Sequence, residues 1–299
     1  MDTHFDDPAI AMAHRSAVRS IERVVTETAP PTPDAAGRII AQLRNPKTLI
    51  ITGAGISTDS GIPDYRSANG RLTKGRPMTF QEFAHSPAQV HRYWARAFVG
   101  MHYMRQAQPN RAHYALVELE RAGLIRGIVT QNVDGLHQFA GSHDVAELHG
   151  SAAQAVCLNH ECQWRAYLAV HLDESRDPSD PAHYGIPHKC PACGAPTRPD
   201  IVLFGEMLPT GVLEHSENAT RNCDVFLAVG TSNTVAPAAL LAPLARACGA
   251  VTVCIDPYAD SARLAGVYDY VVREDAHTVL TRWADRRLRE KRNPFLDPF

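Results

Sequence analysis

The run Lys47-Thr-Leu-Ile-Ile-Thr52 breaks directly into Gly53-Ala-Gly55, and this junction narrows the choice of fold more than any other stretch of the chain. A short apolar run bounded by turn residues reads as a fully buried strand. Glycines after such a strand let backbone N–H groups approach a pyrophosphate, and the dipole of a following helix would add to the attraction. On this fragment alone a tight turn without a ligand fits as well, because the third glycine of the dinucleotide fingerprint would fall where Thr58 stands.

The same alternation continues along the chain. Strands are expected at 124–130, 145–148, 226–230 and 250–255, and helices at 35–43, 86–104, 238–248 and 278–291. Strand and helix in turn predict an open α/β sheet, and no internal repeat competes with that reading. With 299 residues, 44% of them hydrophobic and 21% charged, the composition is that of a soluble globular protein with a sizeable core. Thirty Lys+Arg against 32 Asp+Glu leave a net charge of -2, so no global field favours nucleic acid or an anionic membrane. The prolines at 8, 30, 31 and 33 mark a short extension, with at most one helix and then a linker. Residues 1–20 lack an apolar stretch of signal-peptide length, and Pro237, Pro243, Arg246 and Gly249 interrupt the apolar window 235–255 before it could span a bilayer. A cytoplasmic location is expected.

Seven cysteines are too few and too uneven for a disulfide scaffold. Four of them form two close pairs, Cys157-x4-Cys162 and Cys190-x2-Cys193, which supply the thiolates of one tetrahedral zinc. Proline and glycine in Cys190-Pro-Ala-Cys-Gly194 suit a backbone turned around a metal, and no helical pattern follows as a redox pair would require. A closed four-sulfur site leaves no position for substrate, so the zinc is expected to be structural. The polar stretch 173–188 inside this module reads as an exposed loop, and Cys223, Cys248 and Cys254 as free thiols buried in the core.

Five segments together change the weight of the first one. Gly53-Ala-Gly-Ile-Ser-Thr-Asp-Ser-Gly-Ile-Pro-Asp-Tyr-Arg66 closely resembles the NAD-binding signature of the sirtuins, as does Thr130-Gln-Asn-Val-Asp-Gly-Leu-His137. Leu148-His-Gly150, Ile201-Val-Leu-Phe-Gly-Glu206 and Gly230-Thr-Ser232 follow in the family's order, and the resemblance covers roughly residues 34–283. It implies an NAD-dependent lysine deacylase in which the acyl oxygen attacks the nicotinamide ribose and nicotinamide leaves. A base then activates a ribose hydroxyl, and lysine, nicotinamide and 2′-O-acyl-ADP-ribose are the products. The resemblance makes His149 that base, a task suited to imidazole near neutral pH, and leaves His113 and His137 as structural groups.

Cofactor contacts follow by the same resemblance. Gly53, Ala54 and Gly55 line the cofactor, while Ile62 and Asp64 hold the nicotinamide carboxamide. Tyr65, where phenylalanine is more usual, shields the reacting face, and Arg66 stands at the pyrophosphate. Gln131, Asn132 and Asp134 orient the nicotinamide ribose and an ordered water, Asn132 and Asp134 being counted with the catalytic set. Gly230, Thr231 and Ser232 meet phosphate oxygens. Asp256, where the family usually has asparagine, accepts the hydroxyls of the adenosine ribose and disfavours a 2′-phosphate, which predicts NAD over NADP. Asn233 replaces the frequent leucine without an evident reason.

Protein substrates are expected to pair, as an added strand, with the extended segment of Val202, Phe204, Gly205 and Glu206, with Val235 on the other side. Backbone pairing reads little sequence, which leaves selection to the acyl group. Tyr93 and Arg96 lie three apart on a predicted helix and resemble a carboxylate reader for succinyl groups. The wider run Arg92-Tyr-Trp-Ala-Arg-Ala-Phe-Val-Gly100 is more similar to the mitochondrial class II branch associated with lipoyl and branched acyl removal. The expected organisation is an extension (1–33), a catalytic unit (34–285) and a tail (286–299). Within the unit, a Rossmann-type parallel sheet domain (34–68, 110–153, 198–285) carries a smaller lobe made of a helical insertion (69–109) and the zinc module (154–197). A protein mono-ADP-ribosyltransferase and a non-enzymatic NAD sensor are the alternatives on this fold.

Overall fold

The computed structural model describes residues 47–64, 77–159, 161–168, 175, 177, 183, 186 and 189–292. The expected helix at 35–43 and most of the loop 173–188 lie outside them. In chain order the strands are β1 (Thr48–Thr52), β2 (Gly127–Thr130), β3 (Val145–Glu147), β4 (Gly150–Cys157), β5 (Arg165–Tyr167), β6 (Thr197–Ile201), β7 (Val225–Val229), β8 (Val251–Ile255) and β9 (Tyr270–Val272). The α-helices are α1 (Phe80–Ala84), α2 (Pro87–Gln106), α3 (Arg111–Arg121), α4 (Leu136–Ala140), α5 (Thr210–Arg221), α6 (Leu241–Ala247), α7 (Ser261–Leu264) and α8 (Ala276–Arg292).

Six strands form one parallel sheet in the order β3-β2-β1-β7-β8-β9, and three form an antiparallel sheet in the order β5-β4-β6. In the parallel sheet every residue of β1, β2 and β7 is buried, which is why those strands read as unbroken apolar runs rather than alternations. Ile50, Ile128, Leu227 and Val253 pack on one face with Leu116 and Leu119 of α3 and Leu280 and Trp283 of α8. Leu49, Ile51, Val129 and Phe226 pack on the other with Leu241 and Ala245 of α6 and the flank of α5. This is the Rossmann-type arrangement expected from the alternation.

The antiparallel sheet has its own core. Trp94 and Phe98 of α2 stack on each other with centroids 5.1 Å apart and pack against Ala152, Ala155 and Ile186. The Trp94 indole N–H donates to the Thr197 carbonyl at 3.0 Å, which pins α2 to β6. The antiparallel sheet runs from Gly150 to Ile201, so it takes in four residues on each side of the expected module 154–197. The smaller lobe thus joins the helical insertion to the cysteine module through one apolar cluster.

Candidate functional site

The C-terminal ends of β1, β2 and β7 meet at one edge of the large sheet, where open α/β folds bind their ligands. The loops after β1 and β7 cross there in contact. A Cβ on Gly53 would lie 2.7 Å from the Gly230 carbonyl oxygen, one on Gly55 2.7 Å from the Gly230 Cα, and one on Gly230 2.5 Å from the Ile56 nitrogen. Gly230 also has φ +58°, in the left-handed region. The crossing corrects one expectation. Gly53 N–H donates to Val229 O at 3.1 Å and Gly55 N–H to Gly230 O at 2.8 Å, so neither is free for a pyrophosphate. Two three-residue 3-10 turns, Ala54–Ile56 and Thr58–Ser60, follow the glycines in place of a longer helix. These glycines serve close packing.

Beside the crossing, polar side chains from two loops converge. Ser57 Oγ donates to Asp134 Oδ2 at 2.8 Å and accepts from Asn132 Nδ2 at 3.1 Å. Asp134 Oδ1 accepts the Leu136 N–H at 3.0 Å and so also caps the turn into α4. Burial pushes the Asp134 carboxyl above its ordinary range, against the pull of the Leu136 N–H, the Ser57 hydroxyl and the Asn132 amide. Gln131 Nε2 donates to Thr231 Oγ1 at 2.8 Å, tying the β2 loop to the β7 loop.

His149 follows β3, half-buried at the same edge. Its Nδ1 lies 2.8 Å from the Gln131 carbonyl oxygen. A carbonyl can only accept, so the ring proton sits on Nδ1 and the Nε2 lone pair is left to take a proton. Burial holds the imidazole below its ordinary pKa, and the Gln131 bond partly offsets this. The ring is therefore neutral and basic near pH 7.

Two more histidines lie beneath this edge. His137 Nε2 is 2.9 Å from Thr52 Oγ1, whose hydroxyl donates to Thr130 Oγ1 at 2.8 Å, and His113 Nδ1 accepts the Asn110 N–H at 3.3 Å. The rings meet edge-on at 4.9 Å, and among the described residues His137 Nδ1 and His113 Nε2 have no hydrogen-bond partner. Burial lowers His113 to about 4; burial, then the charge of His113, lowers His137 to about 3. Unfolded histidine binds its proton near pH 6.5, so between that value and the lowered ones the unfolded chain holds more protons, and stability rises with pH and is lost as pH falls. Two such groups remove about 2.7 kcal/mol per pH unit over this window. Urea unfolding between pH 6.5 and 4 should show that slope and lose about half of it in His137→Gln; a flat profile would refute the assignment.

The other expected cofactor residues are placed as follows. Ile62 donates its N–H to Ser57 O at 3.2 Å, and Asp64 ends the described segment, with Tyr65 and Arg66 outside it. Asp256 lies at the end of β8, its Oδ1 accepting the Tyr258 N–H at 2.8 Å. Burial raises its pKa, with a smaller push from the Asp64 carboxylate, so the charges of Asp64 and Asp256 are felt together. Thr231 is buried and Ser232 partly so, with Ser232 Oγ 2.8 Å from Thr234 Oγ1.

On the substrate side the segment after β6 bridges Thr79 at Phe204 and then closes into a turn. Glu206 N–H closes on Leu203 O at 3.0 Å and Gly205 takes φ +79°. Val202 N–H donates to His149 O at 2.9 Å, and Phe80 N–H to Phe204 O at 2.9 Å. The Glu206 carboxylate turns inward, where Arg198 and the Leu203 N–H hold it. Phe204 is 44% exposed and Val235 half-buried, which leaves their side chains as the accessible part of this set. On α2, the Tyr93 ring meets Phe83 edge-on at 5.3 Å and Arg96 is exposed.

The four cysteines of the two pairs come together. Their sulfurs all lie within 4.8 Å of one another, with Cys157 and Cys193 at 3.3 Å and Cys162 and Cys190 at 3.6 Å. A tetrahedron of sulfurs at 2.3 Å from zinc has edges of about 3.8 Å, which falls inside this spread. The N–H of Ala195 leads the groups that draw the Cys193 thiol down to about 7, while burial and the neighbouring thiols push Cys157 up to about 12, so the four sulfurs titrate as one set. The donor set fits zinc. Of the other cysteines, Cys223 and Cys254 are buried, but Cys248 at the end of α6 is exposed, against expectation.

Two partners escaped the sequence reading. Asn110 caps α3 through Oδ1, while its Nδ2 donates to Ile56 O at 2.8 Å and Ser60 Oγ at 3.0 Å, bracing the loop after β1. The pattern Asn110-x-x-His113 before an amphipathic helix was its one signal. Ser57, which joins Asn132 to Asp134, had only its place after the glycines. A cavity of about 280 Å³, lined by Lys47, Leu49, Arg126 and Asp144 among others, opens at the opposite edge of the sheet, away from these groups.

Comparison with known proteins agrees with this geometry. Residues 53–237 match the model of the Sir2 family. The chain is 45% identical over 222 residues to the NAD-dependent protein deacetylase 1 of Corynebacterium efficiens, covering 66% of this chain and 78% of that protein. It is 43% identical over 218 residues to an NAD-dependent protein deacylase of Thermus thermophilus, covering 71% and 79%. The crystal structure of a Sir2 homolog–NAD complex superposes with a TM-score of 0.72 at 32% identity, over 90% of this chain and 99% of that one.

Proposed function

The chain belongs to the Sir2 family and is an NAD-dependent protein deacylase, in which we propose that His149 is the base and that Asn132 and Asp134 order the reacting ribose and water. When bound, NAD supplies an electrophilic ribose carbon that can take up the acyl oxygen of a modified lysine. The chain's own residues do the rest. The Gln131 carbonyl fixes the His149 tautomer, so that the Nε2 lone pair would be available to take the proton of a ribose hydroxyl. Ser57 holds Asn132 and Asp134 in one hydrogen-bonded set. Asp64 and Ile62 would receive the carboxamide, Thr231 and Ser232 the phosphates, and Asp256 the adenosine ribose; the Asp256 carboxylate would favour NAD over NADP. By the family resemblance Tyr65 and Arg66 would add cofactor contacts, and the side chains of Phe204 and Val235 would flank the substrate peptide. The observation that carries this reading is the meeting of the Ser57–Asn132–Asp134 set, the Gln131–Thr231 bond and His149 at one edge of the parallel sheet. The catalytic unit is taken as residues 34–285 of a cytoplasmic protein.

We place the chain in the class II branch with lipoyl or branched acyl groups as preferred cargo. The run Arg92–Gly100 supports this choice, and the exposed position of Arg96 on α2 gives no added support to a succinyl reader. Incubation with NAD or NADP and lysine peptides bearing acetyl, succinyl, lipoyl and branched acyl groups tests it by mass spectrometry. O-acyl-ADP-ribose should form with NAD, fastest from the lipoyl or branched peptide. Fastest turnover of the succinyl peptide would reverse the branch assignment. ADP-ribose added to protein, without O-acyl-ADP-ribose, would favour the transferase instead.

A further inference from the structure

Asn233, unexplained by sequence, is the only non-glycine residue with positive φ among those described, at +54°. Asparagine tolerates this conformation better than a branched or long apolar side chain. Its amide spans the turn after β7: Nδ2 donates to Thr231 O at 2.9 Å, and Oδ1 accepts the hydroxyl of Tyr268, which is itself 5% exposed. Arg263 Nη2 donates to Ser232 O at 2.6 Å. With Gly55 N–H on Gly230 O, the carbonyls of three successive residues, 230, 231 and 232, are all turned into protein donors.

The donors of the same turn are left over. Among the described residues the N–H groups of Thr231 and Ser232 have no protein acceptor. A turn whose carbonyls are all engaged, and whose free groups are N–H and hydroxyl, is a receptor for an anion. The Asn233 N–H reaches Thr231 Oγ1 at 3.4 Å, and the same hydroxyl accepts from Gln131, whose carbonyl holds His149.

We propose that Asn233 is a positioning residue that sets the Thr231–Ser232 turn as the receptor for the cofactor's pyrophosphate. The proposal rests on the reading that this turn meets the phosphates. Asn233 touches no reacting atom; it turns the Thr231 carbonyl inward, and Tyr268 in turn fixes the amide. Asn233→Gly keeps the positive φ and removes the side-chain hydrogen bonds to Thr231 O, Tyr268 and Cys254 Sγ without adding charge. Tyr268→Phe removes one bond from behind, away from the cofactor.

Calorimetric binding of NAD and of ADP-ribose tests it, since both carry the pyrophosphate and neither measurement needs turnover. Asn233→Gly should weaken both by about ten-fold, and Tyr268→Phe both by about three-fold, the scale of one lost hydrogen bond. At saturating NAD, kcat should stay within about two-fold of wild type. Dissociation constants within two-fold of wild type in folded Asn233→Gly would overturn the proposal, even if Tm falls. Should that variant not fold, unchanged affinities in Tyr268→Phe would overturn it equally. Wild-type protein that binds neither ligand would instead strike down the phosphate reading and the proposal with it.

Discussion

His149→Ala is expected to lower deacylation by roughly 10³-fold, within the range of a lost general base, while the fold stays intact. Two features of the site set both halves of this expectation. The imidazole is held by a single bond from Nδ1 to the Gln131 carbonyl, and burial keeps it neutral. Its removal leaves one carbonyl without a partner at a half-exposed edge, where water can take the place of the ring. The loss should therefore fall on the rate and not on stability, with circular dichroism and zinc content at wild-type values. Turnover of the variant within about ten-fold of wild type would remove His149 from the reaction. A variant that no longer folds would show instead that the ring is structural.

The second large effect concerns the metal. Structural zinc in small cysteine modules contributes an apparent 10–16 kcal/mol, roughly as much as or more than the whole stability of an ordinary domain. Stripping zinc with a tight chelator, or changing Cys193 to serine, should unfold β4, β5 and β6 together. The loss should spread through Trp94, because that side chain packs under the same sheet and hydrogen-bonds to Thr197. The chain has three tryptophans; Trp94 and Trp164 sit in or against this core, and Trp283 belongs to the large one. Chelation should thus shift most of the fluorescence to the red, with Tm lowered by more than about 10 °C. Folded protein holding far less than one zinc per chain, or keeping its spectrum after zinc is removed, would rule out the four-cysteine centre.

The parallel sheet was legible because its central strands are buried on both faces, and such strands spell themselves as apolar runs. Helix α5 was not. Ser216 and Thr220 occupy buried positions on it, and their hydroxyls return to the carbonyls of Val212 and Ser216 at 2.8 and 2.7 Å, so polar letters interrupt the apolar spacing of Val212, Leu213 and Ala219 on its inner face. Strand β4 is masked in another way, by Ala152, Ala153 and Ala155, which fit a crowded sheet but signal no strand. At the site, the identity of the polar residues was readable, but their pairing was not. Nothing in the sequence says that Gln131 finds Thr231, 100 positions away, or that Gly53 and Gly55 spend their N–H groups on the opposite loop. Asn233 stood out only as a substitution, since its backbone angle has no trace in a string of letters.

The glycine crossing has a consequence for how this protein can change. Each of Gly53, Gly55 and Gly230 is boxed in by backbone atoms, which cannot swing aside as the end of a flexible side chain can. No single replacement at any of the three leads to a tolerated neighbour, because the clash belongs to the pair of loops and not to either one. A library that randomises one loop at a time will therefore return the parent residue at these positions. Departure from it requires both strand ends to be rebuilt in one step, so the crossing is a place where gradual search stops.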